Sequence, residues 1–254
     1  MTSKFRIATD CDDVLVNTAG KWVRRILSDD SIVSKIPPEA LTRAAERHPM
    51  NREEFEITSH FGINQSWLTP ELKRAMLDKF FLDPTFYDNL LPSSYARGLR
   101  AMCESNLVEG VWVITSCVDL KYPVTASKVR FLKRLFDDLR LKTEIHFIFT
   151  EHGETKAQVI NDREIRYHSF VDDHISNIHD VIANTDSREK EFLIPRYGYN
   201  VRTPEVSAMA SVQDSKVLWF DNDLILKDEI LYDAIEDHSD FDRFKLNWSL
   251  GVGA

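Results

Sequence analysis

FRIATDCDDVLVNT, residues 5–18, opens as an apolar run and then places Asp10, Asp12 and Asp13 within four positions. A chain building a buried strand gains nothing by ending it in crowded carboxylates, which repel one another and resist leaving water. Something must compensate them, and a divalent cation with a phosphate would do so.

Other short β-rich runs also stop abruptly at polar residues: VWVITS (111–116), IHFIFT (145–150), HSFVDD (168–173), and more weakly EFLIPR (191–196) and VLWF (217–220). Their continuous rather than alternating hydrophobicity predicts strands covered on both faces, as in a parallel sheet. Helical stretches separate them. SKVRFLKRLFDDLR is predicted to bury Val129, Leu132, Leu135 and Phe136 on one face, and TKAQVINDREI and HISNIHDVIANT read as crossover helices. The fold class expected is α/β, a doubly wound parallel sheet.

About 95 residues separate Asp13 from VWVITS, too many for an ordinary crossover. PPEALTRAAERH and TPELKRAMLDKFF within them carry helix signals, the second with Thr69 as N-cap and Pro70 at the first helical position. The organisation expected is a core of residues 1–16 and 91–230, a helical cap of residues 17–90 inserted after the first strand, and a C-terminal helix and tail at 231–254. Ligands of open α/β sheets bind beyond the carboxyl ends of the strands, so an insertion leaving from there is a lid by position.

The chain has 254 residues, 43% hydrophobic and 29% charged, with net charge −9. These values suit a globular protein and argue against a broad basic surface for duplex nucleic acid or anionic membrane. Cys11, Cys103 and Cys117 form no C-x-x-C and are read as buried free thiols. No apolar run reaches the length of a membrane span or of a signal-peptide core. A cytoplasmic location is expected, and the oligomeric state stays open, a homodimer included. His174 and His179 are five apart, off a shared helical face, and neither a dinucleotide-binding nor a P-loop glycine motif occurs.

Parallel strands would bring four chain segments to one sheet edge: Asp10 and Asp12, Thr115 and Ser116, Lys156 at a helix start, and Asp172 with Asp173. Asp10 and Asp172 are suited to a hard cation such as Mg²⁺, Asp10 to in-line attack on phosphorus, and Asp12, two residues on, to proton transfer. Thr115 and Ser116 would hydrogen-bond phosphoryl oxygens, and Lys156 would balance charge.

This set resembles the four motifs of the haloacid dehalogenase-like (HAD) superfamily: D-x-D-x-[T/V] at Asp10–Val14, Thr115 after an apolar strand, Lys156, and the acidic pair Asp172–Asp173. The resemblance spans roughly residues 4–22 and 88–200. It implies that Asp10 is the nucleophile and Asp12 the acid/base, with Mg²⁺ held by the Asp10 side chain, the Asp12 backbone carbonyl and Asp172, and Asp173 behind them. Many members have Gly where this chain has Asp13, which is read either as a residue supporting the site from behind or, by preference, as an exposed turn residue. Lys128, in TASKVRF, is an alternative to Lys156 and a candidate substrate contact; the lysine not used is expected at the surface.

FEITSHFG (55–62) and LDKFFLDPTFYDNLLPSSYARGLRAM (77–102) are similar to the cap and return segment of 5′(3′)-deoxyribonucleotidases, and TSCVDLKYP to their motif-two loop. That likeness implies a nucleoside monophosphate substrate, with Phe55 at a position that stacks the base, although Glu56 stands where a second aromatic is expected. Phe55, Phe61 and Trp67 are equally readable as cap packing, and Arg196 as a surface residue. Another small phosphometabolite or a polynucleotide 3′-phosphate would use the same chemistry. A receiver-like phospho-acceptor module would need an Asp at the end of the third strand, where this chain has FIFTEH.

Overall fold

The structure is a computed structural model and describes residues 5–116, 121–137, 142–151, 153–200 and 214–223. Cys117, most of the loop after Ser116 and the C-terminal segment 231–254 lie outside the described residues.

Six strands, β1 (Phe5–Thr9), β2 (Val108–Ser116), β3 (Glu144–Thr150), β4 (Ser169–Val171), β5 (Glu191–Pro195) and β6 (Lys216–Phe220), form one all-parallel sheet in the order β3-β2-β1-β4-β5-β6. This is the doubly wound α/β arrangement, and the order reverses at β1 and β4. Alternate residues of each strand feed opposite cores. Ile7, Val111, Val113 and Val171 join one core with Leu132 and Leu135, while Ala8, Ile114, Phe170 and Phe192 join the other with Ile160 and Ile178. Burial on both faces explains why the strands read as continuous apolar runs.

Helices α1 (Thr18–Leu27), α2 (Asp30–Val33), α3 (Pro38–Glu46) and α4 (Pro70–Phe81) follow β1, with two short 3-10 turns at Pro49–Asn51 and Ile57–Phe61. Thr69 caps α4 by accepting from the Leu72 amide. These elements have their own core, including Val23, Ile26, Phe61, Leu72 and Met76, with Trp67 half-buried against it. The insertion leaves and returns through one neck. Val16 bridges Pro92, the Ser93 amide donates to the Leu15 carbonyl at 2.9 Å, and Ser93 Oγ donates to the Val14 carbonyl at 2.7 Å.

Helix α5 (Ser94–Glu104) then leads into β2. Its spacing of Tyr95, Leu99, Met102 and Cys103 is helical and Ser93 is its N-cap, yet sequence reading had absorbed it into a return segment. Helices α6 (Pro123–Phe136), α7 (Lys156–Asp162) and α8 (Ile175–Asn184) are the crossovers. The buried stripe of α6 runs through Val124, Ser127, Lys128, Phe131, Leu132 and Leu135. Val129, expected within it, lies at its margin and is only half-buried. Cys11 and Cys103 are buried free thiols. No described helix is long and apolar enough to cross a membrane.

Candidate active site

Each strand of the sheet's centre delivers one piece of chemistry at its carboxyl end. The Asp10 amide continues the ladder by donating to the Val171 carbonyl, which sets the end of β1 beside that of β4. Asp10 Oδ1 accepts from the next amide, Cys11, at 2.7 Å. Lys156, first residue of α7, is aimed inward by the Thr155–Gln158 capping box. Its Nζ lies 2.6 Å from Asp172 Oδ2 and 3.0 Å from Asp10 Oδ1. Asp172 is fully buried; its Oδ1 accepts from the His174 amide and from Asn177 Nδ2.

Asp12 faces a different cation. Its Oδ2 lies 2.6 Å from Lys128 Nζ, and its Oδ1 accepts from Thr18 Oγ1 at 2.7 Å and from the Tyr87 hydroxyl. Lys128 Nζ also donates to Thr115 Oγ1 at 3.1 Å and to the Ser116 carbonyl at 3.2 Å. Both lysines are therefore buried in the site, at 3% and 4% exposure, and neither is the surface residue expected of one of them. Thr115 is buried and Ser116 exposed.

The third aspartate is also inside. Asp13 is 6% exposed, which overturns its reading as an exposed turn residue. It adopts φ 54°, a left-handed conformation that glycine takes without cost. Its Oδ1 accepts from the Ala19 amide at 2.9 Å, its Oδ2 lies 3.7 Å from an Arg52 nitrogen, and its carbonyl accepts from the Tyr197 hydroxyl at 2.5 Å. Sequence reading singled out neither Arg52, Tyr87, Tyr197 nor Tyr199. Tyr199 donates to Asp173 Oδ2 at 2.6 Å.

Burial pushes the Asp10 carboxyl up to about 6; Lys156 opposes the rise and Asp172 adds to it. Burial likewise lifts Asp13 to about 6 against the pull of Arg52, and holds Asp173 well above the usual carboxylate range, with Asp172 adding repulsion. Asp12 moves the other way: burial would raise it, but Lys128 and the hydrogen bonds from Lys128, Tyr87 and Thr18 outweigh that and keep it ionised. The lysine ammoniums are held protonated because these carboxylates overcome desolvation.

Ligand oxygens of Asp10, Asp172 and Asp173 lie within 4.8 Å of one another. The carboxylate group thus adds Asp173, expected behind the metal ligands, to the Asp10 and Asp172 side chains, while the Asp12 side chain is committed to Lys128. Burial and repulsion push two of these buried carboxylates, Asp10 and Asp173, toward protonation, and the three together are a hard-oxygen donor set that fits a divalent cation such as Mg²⁺. Among the described residues five aspartates face three cations here, Lys128, Lys156 and Arg52, a surplus of carboxylates that a bound cation would offset.

At the rim, Phe55 of the cap is 47% exposed, and its ring meets the His174 imidazole edge-on at 4.0 Å. Phe61, by contrast, is buried in the cap's core. Arg196 is exposed and lies 3.6 Å from Asp221.

No family model matches the sequence, and no curated protein does. Among solved structures, a haloacid dehalogenase-like hydrolase family protein of Streptococcus pneumoniae is similar, with 13% identity and TM-score 0.46 over 86% of this chain and 95% of that one. A haloacid dehalogenase-like hydrolase of Bacteroides fragilis has 11% identity and TM-score 0.47, covering 86% and 98%. A HAD-superfamily hydrolase, subfamily IA, of Geobacter sulfurreducens has 13% identity and TM-score 0.41, covering 78% and 92%.

Proposed function

We propose that this chain is a HAD-type phosphomonoester hydrolase acting on nucleoside monophosphates. The observation that carries the reading is the division of the strand-end charges. Lys156 holds Asp10 against Asp172, while Lys128 holds Asp12 apart from them beside Thr115.

Asp10 attacks phosphorus in line, and the alcohol oxygen departs with the phosphorus–oxygen bond pair and a proton from Asp12. The aspartyl-phosphate so formed is cleaved by water, whose proton Asp12 takes, releasing inorganic phosphate and restoring Asp10. In the free protein Asp12 is held ionised, as the water step requires. A phosphate dianion that competes for the Lys128 ammonium loosens that hold, so Asp12 gains basicity and can carry the proton the leaving group needs. Thr115, Ser116 and Lys128 bind phosphoryl oxygens, and Lys156 keeps Asp10 oriented as its charge is consumed. Asp10, Asp172 and the Asp12 carbonyl, with Asp173 beside them, would hold Mg²⁺, which supplies neutralisation of phosphate and carboxylate charge.

The nucleotide assignment rests on the cap's sequence likeness and on Phe55 standing exposed at the rim. A phosphate-release screen over ribo- and deoxyribonucleoside monophosphates and sugar phosphates, with and without Mg²⁺, tests it. The expected result is cation-dependent release favouring nucleoside monophosphates by about tenfold or more, worth about 1.4 kcal/mol of transition-state binding. A flat profile would remove the nucleotide from the reading, and no release from any ester would remove the hydrolase.

A further inference from the structure

Arg52 is among the largest fully buried side chains of the described residues, 2% exposed, and it belongs to the cap rather than the sheet. Its Nε donates to the Phe55 carbonyl at 2.8 Å and one terminal nitrogen donates to the Pro49 carbonyl at 3.3 Å, so the guanidinium is fixed to the cap's own backbone. The remaining edge faces Asp13 Oδ2 at 3.7 Å, an ion pair rather than a hydrogen bond. The guanidinium carbon lies over the Tyr199 ring, 4.2 Å from its centre, and the Tyr199 hydroxyl holds Asp173.

The backbone confirms how closely cap and sheet are pressed together here. A Cβ on Gly198 would fall 2.8 Å from the Asn51 carbonyl carbon and oxygen, and the Gly198 amide donates to the Met50 carbonyl at 2.9 Å. Tyr197, from the same loop after β5, is buried in the cap's core.

We propose that Arg52 is a positioning residue that ties the cap to the acidic turn of the site through Asp13, the neighbour of Asp12. The inference rests on the hydrolase reading above. Asp is among the few side chains that enter φ 54°, helped here by the Ala19 amide on its carboxylate, yet that backbone still costs it energy that it would not cost glycine. The turn is held by what surrounds it, and Arg52 is the cation on its carboxylate. Because the next residue back is Asp12, a small shift of the turn displaces the proton-transferring group, and rate is steeply sensitive to such displacement.

The test compares wild type, Arg52→Met, Asp13→Gly and the double variant by kcat and KM for p-nitrophenyl phosphate and for a nucleoside 5′-monophosphate, whose leaving oxygen needs the Asp12 proton, with Mg²⁺, alongside thermal unfolding. Arg52→Met strands a buried carboxylate and is expected to unfold at lower temperature. The double variant removes that charge and places a residue suited to φ 54°, so its unfolding temperature should return to near wild type. Its kcat should nevertheless stay about tenfold or more below wild type, no lower than in either single variant, with KM changed by less than about twofold. Activity returning with stability in the double variant would overturn the proposal, as would losses that simply add. Should Arg52→Met not fold, Asp13→Gly and the double variant still decide it, because equal kcat in those two is required. Wild-type protein that releases no phosphate sinks the hydrolase reading instead, a result distinct from either.

Discussion

Lys128 Nζ lies 2.6 Å from Asp12 Oδ2, so a lysine on the buried stripe of α6 neutralises the carboxylate that follows the first strand by three residues. Burial alone would raise the Asp12 carboxyl; the Lys128 ammonium reverses the sign. In Lys128→Met that reversal is lost, and Asp12 ionises only at higher pH. Since Asp12 must be ionised to take a proton from water in hydrolysis of the phospho-enzyme, the acid limb of the pH profile of kcat should move upward, and kcat at neutral pH should fall about a hundredfold. An unchanged acid limb would remove Lys128 from control of Asp12.

Asp10→Asn should abolish phosphate release while leaving circular dichroism and unfolding near wild type, because Lys156 keeps its partner in Asp172. Asp12→Asn should be more selective. It should slow esters of poor leaving groups far more than p-nitrophenyl phosphate in the formation of the phospho-enzyme, since an oxygen that leaves as a stable anion needs no proton. Burst kinetics separate that step from hydrolysis, and equal losses for both ester types would remove Asp12 from the acid role.

The strand ends were legible because a strand buried on both faces is largely apolar, so Asp10, Thr115 and Asp172 stand out at the polar ends of the runs. The sheet's order and the crossover helices followed from the same alternation. Lys128 carried a usable signal that was misread: it falls four residues after Val124 and four before Leu132, on the apolar stripe of its helix, where a surface lysine would not sit. Asp13 was misjudged because its burial depends on Arg52 and Tyr197, 39 and 184 positions away, and no local pattern announces either contact. Tyr87 and Tyr199 are of the same kind. They look like ordinary cap and loop aromatics until the cap is folded onto the strand ends.

Lys156 is the cation between two buried carboxylates, so Lys156→Met should be severely destabilising. Breaking a buried ion pair on one side costs about 3–5 kcal/mol, because the partner's charge stays behind. A divalent cation would take over part of that neutralisation. Unfolding temperature in the variant should therefore rise more on Mg²⁺ addition than it does in wild type, while turnover stays absent. Rescue of turnover by Mg²⁺ would show that Lys156 contributes charge balance alone.

The pH dependence of stability follows from the carboxyls that burial raises. Asp10 and Asp13 sit at about 6 in the folded chain against an ordinary 3.8, so the folded state binds the extra protons between those values. Their contribution to stability is then favourable at low pH, declines as pH climbs from about 4 to about 6, and is fully lost above that. Protons and a divalent cation compete for Asp10, so Mg²⁺ should protect most where the carboxyls are ionised. Thermal unfolding in EDTA and in excess Mg²⁺ at pH 5 and pH 7.5 measures this. The cation-induced rise should be clearly larger at pH 7.5, and Asp172→Asn should shrink it there. An equal rise at both values would mean that the cation acts elsewhere on the chain than at Asp10, Asp172 and Asp173.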